Sequence, residues 1–125
     1  MIFLCLASAA FTAALPLSEF TLAWTHSIEK IRWEEDYLVQ AQGLELAQAR
    51  IRGTGAGMEA PDGAVLKDGA WHYQPALHAL QRLTLARSPY VTDYQLCWAG
   101  ACHSMAEIVG TVDAAPTVDL FPCDR

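Results

Sequence analysis

The amino-acid sequence predicts an all-β domain, either an antiparallel β-sandwich or a small barrel of about seven to eight short strands. Apolar and polar residues alternate with a period of two in several segments, which is typical of strands with one buried face. Gly, Pro and an Asp-Gly pair interrupt this pattern at short intervals. The 125 residues are enough for one domain with a core of its own.

Residues 1–17, the N-terminal segment, are apolar and precede the first charged side chain, Glu19. A short apolar run that ends in small residues and a proline is typical of a secretory signal, although the usual basic start is missing. An uncleaved membrane anchor and a first strand of the fold are the alternatives. We expect residues 1–17 to be a signal peptide or membrane anchor and residues 18–125 to form a single periplasmic or otherwise extracytoplasmic β-domain.

Two alternating stretches open this domain. In residues 19–27 the apolar positions alternate as far as Trp24, and the next position on that face is His26. In residues 31–39 the apolar face carries Glu35 among aromatic and aliphatic residues. Because a polar group on a buried face needs a hydrogen-bonding partner, we expect His26 and Glu35 to meet across a hairpin.

The later segments are shorter. Residues 44–53 have a composition that also suits a helix, but flanking glycines and a narrow apolar stripe favour a strand. Residues 66–73 predict a hairpin in which Asp68-Gly69 supplies the positive φ angles of a tight turn. Residues 74–81 predict a loop or one helical turn. Further short strands are predicted in residues 82–88, 92–98, 101–109 and 117–121.

The stretch "LCWAGACHS", residues 96–104, allows three interpretations. Haem attachment needs two residues between its cysteines, whereas four separate Cys97 from Cys102. A zinc site needs three or four converging ligands, but Cys102 and His103 are adjacent and would point to opposite faces of a strand. A two-residue turn at Ala99-Gly100 makes Cys97 face Cys102, which favours a disulfide that fixes the hairpin register. Cys123 is then free, paired with one of these two, or used to hold the C-terminal tail.

Three polar clusters are candidates for a site. His26 with Glu29 or Glu35 suits an acid–base pair or two ligands of a cation, and equally a hydrogen-bonded histidine beside solvated charges. The glycine-rich residues 53–59 suit an anion nest of backbone amides beside Arg50 or Arg52, and equally a simple crossover loop. Aromatic residues near an arginine, here Arg87 with the nearby tyrosines, suit a pocket for a carboxylate, and equally a strand core.

The charge excludes some classes of partner. The formal net charge is −6 and the eight basic residues are scattered, which argues against nucleic acid and against anionic membrane surfaces. Contact with a membrane is therefore expected through the N-terminal segment alone, if that segment is an anchor. We also expect no bound metal and no cofactor.

Residues 20–39, 49–61, 69–75 and 83–98 together resemble a small family of bacterial proteins of unknown function, whose genes commonly sit beside those of TRAP-type transporters of the TAXI class. The ordered series HS-x-E, G-x-GAGM and SPY-x-x-DY carries the resemblance. It implies an exported or membrane-tethered domain near a solute-uptake system and brings no catalytic residue with it. The residues that match its recurring motifs are His26, Ser27, Glu29, Glu35, Gly53, Gly55, Gly57 and Tyr90.

We therefore expect an extracytoplasmic accessory or binding domain that assists such a transporter and has no enzymatic activity. Its expected partners are transporter subunits or a small anionic solute. The alternative is a small periplasmic hydrolase or metal-dependent enzyme, which predicts that His26 and Glu35 converge in a concave pocket. A binding module predicts instead an exposed aromatic patch, or a pocket lined by Arg52, Arg87 and tyrosines.

Overall fold

The alternating pattern folds into two antiparallel sheets packed face to face. A computed structural model describes residues 1–9, 11–25, 31–52, 63–74 and 79–125. The elements in these residues are β1 (Ile2–Ala7), β2 (Thr12–Leu15), β3 (Glu19–Thr25), β4 (Arg32–Gln40), β5 (Gly43–Arg52), β6 (Val65–Lys67), β7 (Ala70–Tyr73), β8 (Ala79–Leu80), β9 (Leu83–Ala86), β10 (Gln95–Trp98), β11 (Ala101–Ser104), α1 (Met105–Val109) and β12 (Thr117–Asp124).

The strands divide between a small sheet and a large sheet. The small sheet has the order β2-β1-β12-β9, and the large sheet has the order β11-β10-β3-β4-β5-β7-β6. Strand β8 pairs with β5 on the edge that β7 also uses. The predicted all-β sandwich is therefore confirmed. The described residues hold more strands than predicted because the N-terminal segment and residues 79–80 also form strands.

The core lies between the two sheets. Leu4, Leu6 and Leu120 of the small sheet are fully buried against the large sheet, whose inner face contributes residues such as Leu22 and Leu96. Burial of each such side chain stabilises the fold by about 1.5–3 kcal/mol. The period-two alternation of β3 and β4 thus has a direct cause: every second side chain enters this core.

The N-terminal segment supplies an inner strand of the small sheet. Strand β1 pairs along its whole length with β12, from Ile2 opposite Asp124 to Ala7 opposite Asp119, and β2 pairs with its other edge. A disulfide joins Cys5 of β1 to Cys123 of β12. In the structure the N-terminal segment is therefore part of the fold, which is the first-strand alternative. Removal of this segment as a signal peptide stays a prediction.

The two predicted tight turns are present. Asp68 and Gly69 have φ angles of 52° and 74°, and Ala99 and Gly100 have 52° and 80°, so both hairpins use positive φ at both turn positions. The second turn places Cys97 opposite Cys102, and the predicted disulfide joins them.

The chain leaves the large sheet after Ser104, so the strand predicted for residues 101–109 is wrong in its second half. Helix α1 begins there because the Ser104 side chain accepts a hydrogen bond from the Glu107 backbone N–H, while the Glu107 carboxylate accepts one from the Ser104 N–H. Met105 and Val109 of the helix are buried in the core. The loop or turn predicted for residues 74–81 is wrong at Ala79–Leu80, which pair with β5 as β8.

Candidate functional site

A groove of about 1010 Å³ crosses the outer face of the large sheet. The β10–β11 hairpin borders it on one side, and strands β5, β6 and β7 border it on the other. Cys97 faces Thr21 on the neighbouring strand, and Thr21 faces Asp36 on the next. Because side chains of facing residues project to the same side of a sheet, this register brings polar groups from distant parts of the sequence into one groove.

A network of ion pairs centred on Arg50 occupies the middle of the groove. Arg50 donates from Nη2 to Oδ1 of Asp36 at 2.7 Å and from Nε to Oε1 of Glu34 at 3.1 Å, and its Nη1 also contacts Asp36. Thr21 donates from Oγ1 to Asp36 Oδ1 at 2.7 Å. The two-pronged pairing between guanidinium and carboxylate fixes the orientation of both side chains.

The network keeps its members charged. Burial raises the pKa of Glu34, but hydrogen bonds from Arg32, Arg50 and Arg52 outweigh burial and hold that pKa below its usual range. Burial likewise raises the pKa of Asp36, and hydrogen bonds from Arg50 and Thr21 bring it below normal. Hydrogen bonds to Asp36 raise the pKa of Arg50. The middle of the groove therefore carries compensated charges near neutral pH.

Two cations at the β5–β7–β6 side of the groove have fewer hydrogen-bond and ion-pair partners than Arg50. Arg52 lies opposite Ala70, and Ala70 lies opposite Lys67, so both cations flank one small residue. Arg52 donates from Nε to Glu34 Oε1 at 3.0 Å and is 45% exposed. Within the described residues its Nη groups make no hydrogen bond, and the exposed Lys67 makes no ion pair. This part of the groove can accept an anion.

Glu35 lies on the other side of the same strand, away from the groove. It faces Leu22 and Ala49, which are buried in the inner face, as its predicted place on the apolar side requires. Burial raises its pKa, and Tyr37 Oη donates a hydrogen bond to its Oε1 at 2.9 Å. His26 lies outside the described residues, so its meeting with Glu35 stays a prediction, as does the enzyme that would use both.

Arg87 lies outside the groove, in a cavity of about 220 Å³ that Trp24 and Tyr94 also line, and the ligand role predicted for Arg87 and Tyr90 stays a prediction. The Arg87 side chain has no exposure to solvent and forms two hydrogen bonds with Asp93, at 3.1 and 2.8 Å. It also donates to the backbone carbonyls of Gly110 and Ala115. Its fifth N–H donates to the Thr111 carbonyl oxygen at 3.4 Å, so all donors of Arg87 are used within the fold, whereas Tyr90 is 93% exposed.

The other predicted site residues are not in the described part of the chain; they are Ser27, Glu29, Gly53, Gly55 and Gly57. The cysteines, all of which the structure describes, are disulfide-bonded and so offer no thiolate to a metal. No cluster of three or more His, Cys, Asp or Glu with metal-binding geometry occurs in the ranges that the structure describes. No helix in those ranges is long and apolar enough to cross a membrane.

Most residues of the groove could not be recognised from the sequence. The sequence pattern places Arg50 only beside the glycine-rich residues 53–59 and Lys67 only in the predicted hairpin of residues 66–73, and it does not single out Glu34 or Asp36. Their available signal was the repetition of charges at every second position in adjacent strands, at 34 and 36 and again at 50 and 52. This repetition identifies the groove only when the register of the strands is known. That register depends on a bulge where β5 inserts an extra residue opposite Asp36 and Tyr37.

These features define a disulfide-linked antiparallel β-sandwich with a polar groove on the outer face of one sheet. The chain belongs to the family described as Domain of unknown function (DUF1850), which matches residues 20–105. Apart from Glu19 at the start of β3, that span contains the described strands of the large sheet and hence the groove. The resemblance to a family of unknown function is confirmed at this level. No curated protein and no solved structure gives a significant match.

Proposed function

We propose that this protein is a periplasmic binding domain that assists a TRAP-type transporter of the TAXI class, and that its groove holds a small anionic solute. Two lines support an extracytoplasmic location: disulfides persist in oxidising compartments, and the sequence resemblance described above implies a place beside such transporters. The expectation of an anionic ligand rests on Arg52 and Lys67, two cations that flank Ala70 at one side of the groove.

The Arg50 network explains why an anion would bind beside these two cations. Glu34 and Asp36 are already compensated by Arg50, so they repel an incoming carboxylate less than isolated carboxylates would. Arg52 can then present its Nη donors to the ligand as a fork, while Lys67 adds a point charge. The network fixes Arg52 through Glu34, which lowers the entropy lost on binding.

Calorimetric titration of the purified, oxidised chain with succinate, glutamate and acetate tests the ligand class. We expect Arg52→Gln and Lys67→Gln each to weaken binding about tenfold or more, since one charge-assisted hydrogen bond contributes about 1.5–3 kcal/mol. Arg82→Gln is the matched control, because it removes the same charge from a pair with Asp119 on the small sheet. Absence of binding by the folded chain, or equal loss in all three variants, contradicts the proposal.

Uptake of the solute by cells tests the proposed role in transport separately from ligand binding. A strain that lacks the gene and carries the neighbouring transporter should lose uptake of the transported acid, and the wild-type gene should restore it. The Arg52→Gln gene should restore uptake poorly if the groove hands the solute over. Full restoration by Arg52→Gln, together with normal secretion, rejects the groove as the functional site and leaves an accessory role through other surfaces.

A further inference from the structure

The two disulfides lie in contrasting environments. The Cys5–Cys123 bond joins neighbouring strands of the small sheet across a sequence separation of 118, and Cys5 is 5% exposed. The Cys97–Cys102 bond joins the β10–β11 hairpin across a separation of five and lines the groove, where Cys102 is exposed. In the other bond Cys5 is buried and Cys123 is half-buried, with its Sγ 3.7 Å from the Phe3 carbonyl oxygen. A thiol in solution therefore has freer access to the Cys97–Cys102 bond.

A guanidinium is held against the exposed bond. Nη2 of Arg32 lies 3.7 Å from Sγ of Cys102 and 3.9 Å from Sγ of Cys97. Its position is fixed from two sides, because Nη1 donates to Gln95 Oε1 at 2.7 Å and Nε donates to Glu34 Oε2 at 3.0 Å. A neighbouring arginine stabilises a thiolate, and a stabilised thiolate is a better leaving group in disulfide cleavage.

We propose that the Cys97–Cys102 bond is a thiol–disulfide exchange site that accepts two electrons from an extracytoplasmic dithiol. One thiolate of the dithiol attacks Sγ of Cys102 and forms a mixed disulfide, while the Cys97–Cys102 bond breaks and Cys97 leaves as a thiolate beside Arg32. The second thiol of the dithiol then loses its proton and attacks its own mixed-disulfide sulfur. Cys102 leaves as a thiolate, and the dithiol departs as an oxidised disulfide.

The fold can pass through this reaction without unfolding. The hairpin keeps its pairing to β3 through Gln95, Leu96 and Cys97, which is independent of the disulfide. Beyond β11 the chain is held by α1, where the Met105 backbone N–H donates to the Tyr94 carbonyl at 2.9 Å and the Met105 side chain is fully buried. Reduction therefore frees two thiols on a surface that remains folded.

Graded reduction of the oxidised full chain with dithiothreitol, followed by maleimide labelling and peptide mass mapping, tests the site. We expect the Cys97–Cys102 pair to be labelled at least tenfold faster than the Cys5–Cys123 pair, with an unchanged far-ultraviolet circular dichroism spectrum. Equal rates for the two pairs, or labelling of Cys97 and Cys102 that coincides with unfolding, overturn the proposal. This comparison needs no variant, because the chain contains its own control.

Substitution of Arg32 tests the mechanism. We expect Arg32→Gln to slow reduction of the Cys97–Cys102 bond about threefold or more, and Arg32→Lys, which keeps the charge, to recover most of the rate. Arg82→Gln on the small sheet should leave the rate unchanged. An unaltered rate in Arg32→Gln, or an equal loss in Arg32→Lys, removes the cation from the mechanism. If Arg32→Gln does not fold, the Arg32→Lys rate and the comparison of the two native disulfides decide.

Discussion

Removal of residues 1–17 should unfold this domain, because the segment supplies an inner strand of the small sheet. Leu4 and Leu6 of β1 have no exposure to solvent, and burial of the two contributes about 3–6 kcal/mol. The disulfide of Cys5 to Cys123 closes a separation of 118 residues, which corresponds to about 5 kcal/mol in the chain-entropy description. Together these losses amount to about 8–11 kcal/mol, which is comparable to the net stability of about 5–15 kcal/mol typical of a domain.

Equilibrium unfolding in urea, followed by circular dichroism, measures this loss on the chain 1–125 and on the chain 18–125. The double substitution Cys5→Ala with Cys123→Ala in the full chain is the matched control, because it removes the disulfide and keeps the strand. We expect the control to unfold cooperatively at lower urea and the shortened chain to show no cooperative transition. A cooperative transition of the shortened chain at the midpoint of the full chain refutes this reasoning and supports cleavage of a signal peptide.

Three further predictions concern single side chains, and urea unfolding measures each. Arg87→Met should lower the free energy of unfolding by about 3–5 kcal/mol, because it leaves Asp93 without its buried partner. A decrease of less than about 1 kcal/mol contradicts this role of Arg87. Burial raises the pKa of Glu35, so its contribution to stability falls as pH rises from its ordinary pKa through the raised one. Glu35→Gln should therefore stabilise the fold at pH 7 and not at pH 4, while its amide oxygen still accepts from Tyr37; equal effects at both pH values contradict this. Ala99→Gly should stabilise by about 0.5–1 kcal/mol, since Ala99 has a φ of 52°, and a destabilisation would contradict strain there.

The strands of the large sheet could be predicted because their signals are local. Alternation identified β3 and β4, and the turn residues identified both tight hairpins and thereby the Cys97–Cys102 pair. A turn of two residues determines which neighbours face each other, so a register prediction needed no information from outside the hairpin. This is why the short-range disulfide was predictable and the partner of Cys123 was not.

Strands β9 and β12 of the small sheet fall in predicted segments, but β1, β2 and their pairing could not be predicted because their signals are ambiguous or distant. An apolar run such as residues 2–7 is typical of a signal peptide and of a fully buried strand alike, and periodicity does not separate the two. Its partner β12 lies at the opposite end of the chain. Helix α1 was hidden for a different reason: the alternation of β11 runs directly into it, and the Ser104–Glu107 capping signal is only four residues long.

The groove depends on one physical fact that also decides how its residues should be tested. Consecutive side chains of β4 point to opposite faces, so Glu34 and Asp36 enter the groove while Glu35 enters the apolar side. A substitution of Glu35 therefore alters packing and proton binding in the core and does not test ligand binding in the groove. Substitution of Arg50 would leave Asp36 without its ion-pair partner and would remove one of the three arginines that donate to Glu34. Lys67 is the position where charge can be removed while the network stays intact, and removal of the Arg52 charge still leaves Glu34 its bonds from Arg32 and Arg50. Binding measurements on these two positions therefore report on the ligand more directly than measurements on Arg50.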